Sequence, residues 1–393
     1  MIKNIKINNY KCFKNFEIKD FKRINILVGD NNSGKTSLLE ALALLDPKTF
    51  KKQNILIKNY FSIIDNYIET VADSGMEYFI KLIRKFFEDY SIFFNERNIE
   101  KSIFIEADFN SAKKDSKSDF AVKFENKIIN DISDFKESKF LDNHKSILER
   151  IYKSNRDLIS QSILANYKFS NKKNLLKLGI SSIGTYNDNV EGFDDFDVIF
   201  KKINDRANLV KNWTQIINQN GVKIEEKFVK LLQNFYGDIE AIRANQDELD
   251  FYKKNPENKK SPFVIPLSSM GEGFKRFFDI IITLELINKN NNPQILCIDE
   301  IDNVLYFDKQ DIYWEQIIKL CEEKNIQLFA TTHSYDSLKS LSREIEKLYK
   351  NNTKIDKELA LYSLYKGKEG EIKSFKYDYD LFKAKLESSI ELR

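Results

Sequence analysis

Hydrophobic and polar positions alternate through the first residues of the chain: Ile5 and Ile7, then Phe13, Phe16 and Ile18, then an apolar run of Ile24, Ile26, Leu27 and Val28. This period of two predicts two or three strands over 2–28. From Ser37 to Leu45 the spacing becomes helical, and Asp46-Pro47 ends that helix, because proline cannot continue it and disfavours helix at the preceding residue. Much later, 273–287 reads as an apolar-faced helix with Phe277, Ile280, Ile281, Leu284 and Leu286. Strand 294–298, helix 312–321 and strand 327–331 follow. Strands alternating with helices predict an α/β fold with a mostly parallel sheet flanked on both faces.

The middle of the chain is less periodic. Helices are predicted at 55–69 and 76–90, and strands at 103–109 and 120–129, joined by a polar linker over 111–118. Residues 136–170 read as a surface-rich helix, and 171–197, broken by Gly179, Gly184 and Gly192, as loops. Two helices separated by Asn220-Gly221 fit 200–234, and short strands around a polar loop at 255–261 fit 239–266. No internal repeat or sustained heptad is visible. One domain is therefore expected over 1–47 and 235–393. A mainly helical insertion, 48–234, divides it, with an antiparallel β portion near 101–130 that belongs to the main domain.

The chemistry begins where the first apolar run ends. Gly29-Asp30-Asn31-Asn32-Ser33-Gly34-Lys35-Thr36 matches the phosphate-binding P-loop in full, between a predicted strand and a helix starting at Ser37. Gly29 and Gly34 let the backbone wrap closely around phosphates with its N–H groups turned inward. The helix adds its positive end. Lys35 can reach the β- and γ-phosphates, and the Thr36 hydroxyl can ligate Mg²⁺. The chain is therefore expected to bind a nucleoside triphosphate.

Three later segments extend this site. Ile295-Leu296-Cys297-Ile298-Asp299-Glu300 is an apolar strand ending in two carboxylates: Asp299 to hold Mg²⁺, directly or through water, and Glu300 to orient and polarise the attacking water. Leu328-Phe329-Ala330-Thr331-Thr332-His333-Ser334 delivers a histidine at a strand's carboxyl end, where ligands bind in open α/β sheets and a γ-phosphate sensor is expected. The other histidine, His144, reads as ordinary surface. Leu267-Ser268-Ser269-Met270-Gly271-Glu272-Gly273 opens a helix carrying Lys275 and Arg276, a further anion-binding end.

Composition narrows the classes. With 393 residues, 42% hydrophobic and 31% charged, the chain has both a large core and a hydrated surface. Its 63 basic and 60 acidic residues leave a net charge of +3, which argues against a strongly basic nucleic-acid binder. The pairs Lys172-Lys173, Lys253-Lys254 and Lys259-Lys260 read as solvated loops rather than a DNA platform. Cys12, Cys297 and Cys321 form neither a disulfide framework nor a CxxC pair. No apolar run reaches the ~18–20 residues of a membrane span, and Met1 to Ile5 lacks a signal-peptide core. A cytoplasmic protein without membrane association is expected.

The order P-loop, serine–glycine signature, Asp-Glu strand and switch histidine resembles that of ABC-type ATPases. The runs Ile5 to Leu42, Pro266 to Gly273, Ile298 to Asn303 and Ala330 to Ser334 look like the bacterial AAA-labelled branch related to overcoming-lysogenization-defect (OLD) proteins and to RecF and SMC heads. Tyr377-Asp378-Tyr379 and Leu386-Glu387-Ser388 are similar to it as well. The resemblance covers about 1–47 and 262–340. It implies an ABC-type head and a homodimer clamping ATP between two heads. Lys35, Thr36, Asp299, Glu300 and His333 would act within one copy, while Ser269 and Gly271 would contact the γ-phosphate bound by the other. Asp302 would lie near that interface. The sequence has Met270 where transporter signatures have glycine, and Glu272 where they usually have glutamine. The Mg²⁺-contacting glutamine of such ATPases is left between Gln53 and Gln161.

Four functions compete on this resemblance. One is an ATPase subunit of a bacterial defence or DNA-processing system, similar to the ATPases of Septu or PARIS, whose ATP state controls a separate effector or nuclease. Another is a RecF-like DNA-repair ATPase; long SMC-type arms would need heptads, and a zinc hook a CxxC. A transporter motor is disfavoured by the long stretch between P-loop and signature and by the missing signature glycine. The fourth is a switch or scaffold that holds ATP with slow turnover, against which the intact Glu300 argues. The segment after His333 is too short for the nuclease domain of OLD proteins, so cleavage of DNA would need a partner.

Overall fold

The computed structural model describes residues 1–45, 103–108, 120–128, 163–171, 175–181, 184–187, 197–201, 209–237, 239–245, 248–257, 261–287, 294–303, 309–350 and 352–388. The helices expected at 55–69 and 76–90 and the linker at 111–118 lie outside these residues. In chain order come β1 (Asn4–Tyr10), β2 (Phe13–Lys19), β3 (Ile24–Gly29) and α1 (Lys35–Ala43). Next are β4 (Ile103–Asp108), β5 (Phe120–Ile128), β6 (Ile163–Asn171), β7 (Leu175–Ser181), β8 (Gly184–Asn187) and β9 (Asp197–Lys201). Then follow α2 (Leu209–Asn220), α3 (Val222–Tyr236), β10 (Ile239–Asn245), β11 (Glu248–Lys253), β12 (Phe263–Pro266) and α4 (Glu272–Leu286). Last are β13 (Gln294–Ile298), α5 (Gln310–Glu323), β14 (Ile326–Thr331), α6 (Tyr335–Tyr349), α7 (Asn352–Glu358), β15 (Leu359–Lys366), β16 (Ile372–Tyr377) and α8 (Tyr379–Glu387).

The chain divides into two compact units, one of Met1–Phe21, Asp30–Ile199 and Leu364–Ser374, the other of Lys22–Gly29, Phe200–Ser363 and Phe375–Arg393. The first unit contains an antiparallel sheet in the order β2-β1-β4-β5-β6-β7-β8. Ile5, Ile7, Phe13, Phe16 and Ile18 are buried while Lys6, Lys14 and Glu17 face solvent, the one-sided burial that a period of two dictates.

Two expectations change here. Residues 163–171 form β6 where the pattern of 136–170 reads as helix, and β7 and β8 occupy part of the glycine-broken stretch 171–197. The ladder from Phe120↔Asn171 to Ile128↔Ile163 gives β6 its backbone partners, and a long-range partner outweighs weak local helix propensity. Gly179 and Gly184 both lie inside the ladder of β7 with its neighbours, opposite Asn166 and Ser181. Within 48–234, the described residues between 101 and 201 are strands, whereas α2 and α3 are the two helices expected on either side of Asn220-Gly221.

The second unit follows the sequence pattern closely. A six-stranded sheet runs β16-β15-β3-β14-β13-β9, and its centre β3-β14-β13 is parallel. Every residue of β3, β13 and β14 is buried, which explains their nearly continuous apolar runs. The polar exceptions are paired: Asn25 donates to the Leu328 carbonyl at 3.1 Å and Gln327 to that of Lys22 at 2.8 Å. On α4, Phe274 and Phe278 join Trp213, Phe228 and Phe251 in a cluster with ring centroids 5.1–6.0 Å apart, each such pair adding ~0.5–1.5 kcal/mol beyond its buried area. The cluster fastens α2, α3 and the small antiparallel sheet β10-β11-β12 to α4. At the other end of α4, Lys324 donates to the carbonyls of Glu285 and Ile287, which have no partner within the helix.

Candidate functional site

The phosphate loop leaves β3 at Gly29, whose φ is +133°, and passes Asn32 at φ +63° and Gly34 at +93°. Gly34 is doubly constrained. A Cβ there would enter the left-handed region and also lie 2.9 Å from Cys12 Sγ and 3.0 Å from Phe13 Cζ. The turn is closed by Ser33 N–H donating to Asp30 O at 3.2 Å and Leu38 N–H to Gly34 O at 2.9 Å. Helix α1 has no side-chain cap and no acid in its first turn, so its N–H groups and dipole are presented to an anion without local competition. Lys35 is buried, its ammonium donating to Asp30 O at 2.8 Å. Ser33 is 2% exposed, and its hydroxyl finds no partner among the described residues. Asn31, Asn32 and Thr36 are exposed and Ser37 is half-buried.

Sequence reasoning gave no role to the β1–β2 hairpin, yet its end forms a wall of this loop. Phe13 and Cys12 back Gly34, and Lys11 pairs with Glu40 of α1. Burial pushes the Cys12 thiol up, against a hydrogen bond with Ser37. The signal available was the run Tyr10-Lys11-Cys12-Phe13, too short to be read without the fold.

In the second unit, β13 ends at Ile298 and the next two residues are the expected carboxylates. Asp299 Oδ1 accepts from Thr331 Oγ1 at 2.7 Å, and the same Thr331 oxygen accepts from Glu300 N–H at 2.7 Å. Glu300 has φ +48°, a left-handed backbone that costs an L-residue about 1–2 kcal/mol. Ile301 N–H donates to Thr331 O at 3.0 Å and Asn303 N–H to Glu300 O at 3.1 Å, so the turn is held at both ends. Arg276 from α4 donates to Asp299 O at 3.2 Å. Burial raises the Asp302 carboxyl above its ordinary range, while hydrogen bonds from Thr332 and Ser334 and the charge of His333 oppose the rise. His333 itself is exposed, two residues beyond the end of β14.

The signature segment is a short 3-10 turn, Leu267–Ser269, followed by extended Met270 and by Gly271 as N-cap of α4. Ser269 and Gly271 are exposed and Met270 is buried. The turn is braced on both sides: Ser268 N–H donates to the Glu248 carboxylate at 2.6 Å, and Lys275 donates to Ser268 O at 2.9 Å and to Glu272 at 3.0 Å. Hydrogen bonds from Ser268 hold the Glu248 carboxyl below its usual range. Gln53 and Gln161 lie outside the described residues.

A strand–loop–helix P-loop, a parallel sheet and an Asp-Glu turn at a strand's carboxyl end define a P-loop nucleoside triphosphatase. The AAA ATPase domain model matches residues 1–338, and the chain belongs to that family; it is an ATPase. An "ATP/GTP phosphatase" of Helicobacter pylori is 26% identical over 382 residues, spanning 90% of this chain and 91% of that protein. A shorter stretch is similar to the "DNA replication and repair protein RecF" of Rickettsia massiliae, 46% identical over 44 residues, 11% of this chain and 12% of that one. Among solved structures, the SMC head domain from Thermotoga maritima aligns over 96% of this chain and 98% of its own, with 11% identity and a TM-score of 0.38. No helix among the described residues is long and apolar enough to cross a membrane.

Proposed function

We propose that this ATPase is Mg²⁺-dependent and works as a homodimer in which each site is completed by the signature of the other copy. Its nucleotide state would control a separate effector or nuclease in bacterial antiphage defence or DNA processing, like the OLD-, Septu- and PARIS-type ATPases that the motifs resemble. The observation that carries the hydrolytic reading is the braced acidic turn: two consecutive carboxylates held at the end of β13, with Glu300 kept in a left-handed backbone.

The residues fit the metal. The Thr36 hydroxyl and the Asp299 carboxylate are hard oxygen donors of the kind Mg²⁺ takes, and they are the residues that would hold it. Bound there, the ion would neutralise charge on the β- and γ-phosphates. Lys35 would leave the Asp30 carbonyl to pair with the phosphate oxygens, and Gly29, Asn31, Asn32, Ser33, Gly34 and Ser37 would supply backbone and hydroxyl donors. Glu300 would accept a proton from the attacking water, and His333 would contact the γ-phosphate. Ser269 and Gly271, exposed on a turn that Glu248 and Lys275 hold rigid, suit contact with a nucleotide bound to another copy.

Phosphate release with ATP and with GTP tests the hydrolytic reading. Lys35→Ala should abolish turnover and Glu300→Gln should slow it by about 10²-fold or more; an unchanged rate in Glu300→Gln refutes the assignment of Glu300. For the dimer, Ser269→Arg mixed with Lys35→Ala should recover turnover that neither variant has alone. The similarity to RecF favours a second reading, a DNA-repair ATPase. Stimulation of turnover by DNA without any effector would favour it over the first.

A further inference from the structure

Beside the Asn303–Glu300 bond within the acidic turn, a residue of the neighbouring strand fixes the end that carries the carboxylates. Thr331 is the last residue of β14 and is fully buried. Its hydroxyl donates to Asp299 Oδ1 and accepts from Glu300 N–H, both at 2.7 Å, and its carbonyl accepts from Ile301 N–H at 3.0 Å. One residue thus touches three consecutive residues of the turn. The position demands a group that donates and accepts at once from a single atom, which only a hydroxyl of this size offers.

We propose that Thr331 is a positioning residue for hydrolysis: its hydroxyl fixes the Asp299 carboxylate for the metal and the Glu300 backbone for the attacking water. The inference rests on the roles given above to Asp299 and Glu300. The donated proton selects the orientation of the Asp299 carboxylate. The accepted one holds the Glu300 N–H inward, so that Glu300 keeps its left-handed backbone at φ +48° and its side chain is launched from a fixed point. Without the hydroxyl, the half-buried Glu300 N–H loses its partner and the turn is free to relax.

Thr331→Val keeps the shape and removes both hydroxyl bonds; Thr331→Ser keeps both bonds and removes a methyl. The expected result is a kcat about 10- to 100-fold lower in Thr331→Val with KM for ATP within about threefold, and near wild-type kcat in Thr331→Ser. Equilibrium binding of a fluorescent ATP analogue separates positioning from structure. In EDTA both variants should bind as the wild type does. On adding Mg²⁺, the wild-type change in affinity should shrink in Thr331→Val and persist in Thr331→Ser. Wild-type kcat in Thr331→Val overturns the inference, as does analogue binding in EDTA that falls as far as kcat does. Failure of Thr331→Ser to restore turnover overturns it too, since packing rather than the hydroxyl would then matter. If Asp299→Asn and Glu300→Gln both turn over at the wild-type rate, the underlying reading fails and this inference with it. If those two lose turnover and Thr331→Val does not, only the inference fails.

Discussion

Replacing Gly34 by alanine tests the phosphate loop without any nucleotide present. Two costs are visible. The backbone at φ +93° is one that L-residues rarely adopt, at about 1–2 kcal/mol. The new methyl would also meet Cys12 Sγ at 2.9 Å and Phe13 Cζ and Cε1 at 3.0 and 3.1 Å. Phe13 cannot yield easily, because it is fully buried and its ring stacks on Phe16 with centroids 4.4 Å apart. Overpacking of this kind costs about 1–3 kcal/mol. The sum, about 2–5 kcal/mol, corresponds to a fall of roughly 4–10 °C at about 2 °C per kcal/mol for a large chain. Scanning calorimetry of the nucleotide-free protein reads it directly, free of any change in ligand affinity. Adding Cys12→Ala removes the nearest obstacle, so the double variant should recover about 1 kcal/mol relative to the sum of the single changes. Recovery should be partial, since the backbone cost and the Phe13 contact remain. A Gly34→Ala protein melting within about 1 °C of wild type would refute the argument, and strict additivity with Cys12→Ala would remove the thiol from it.

Two further predictions concern Glu285, which is buried, and Asp302, which is half-buried. Glu285 is 5% exposed and bridges Lys227 at 2.6 Å and Lys324 at 3.0 Å, so Glu285→Gln leaves a nearly buried ammonium without its carboxylate. The usual cost of ~3–5 kcal/mol is reduced to about 2–3 kcal/mol because Lys324 keeps two backbone carbonyls. Lys227, 46% exposed, should cost under about 1 kcal/mol when changed to methionine, and urea midpoints in the reverse order would contradict this. Burial raises the Asp302 carboxyl above its ordinary value of 3.8, so the folded state holds that proton more tightly than the unfolded one does. The resulting stability is present below pH 3.8 and is lost as pH rises through the folded value. The melting temperature of Asp302→Asn relative to wild type should therefore increase from acid toward neutral pH; a constant difference would show that the shift is absent.

Legibility in the sequence followed burial. β3, β13 and β14 are sealed on both faces, and their runs of Ile, Leu, Phe and Cys announce strands in almost their observed bounds. α4 was legible for the same reason, its aromatic and aliphatic positions recurring at helical spacing. Residues 163–187 were not, because what makes them strands is pairing with β5 and with one another, and neither partner is local. The motifs Gly29 to Thr36 and Asp299-Glu300 could be read because phosphate and metal chemistry restricts residue types. The supports could not: Cys12 and Phe13 behind Gly34, and Glu248 and Lys275 around Ser268, are ordinary residues whose value lies in where the fold puts them.

Thr331 shows how such a support follows from topology. β13 and β14 are parallel neighbours, with Ile298 opposite Ala330. One step further along both strands sets Asp299 beside Thr331, so the register alone makes the last side chain of β14 a neighbour of the first acidic residue. On its other side β14 pairs with β3, Thr331 opposite Leu27, and Thr332 N–H continues that contact to Leu27 O at 3.2 Å. The end of β14 is therefore fixed between the strand that leads into the phosphate loop and the strand that leads into the acidic turn. A side chain there can bond to the acidic turn without any motion of its own backbone. That rigidity makes a single hydroxyl sufficient to hold Asp299 and Glu300, and it is why the Thr331→Val effect should fall on kcat and on the metal's contribution to affinity rather than on metal-free nucleotide binding.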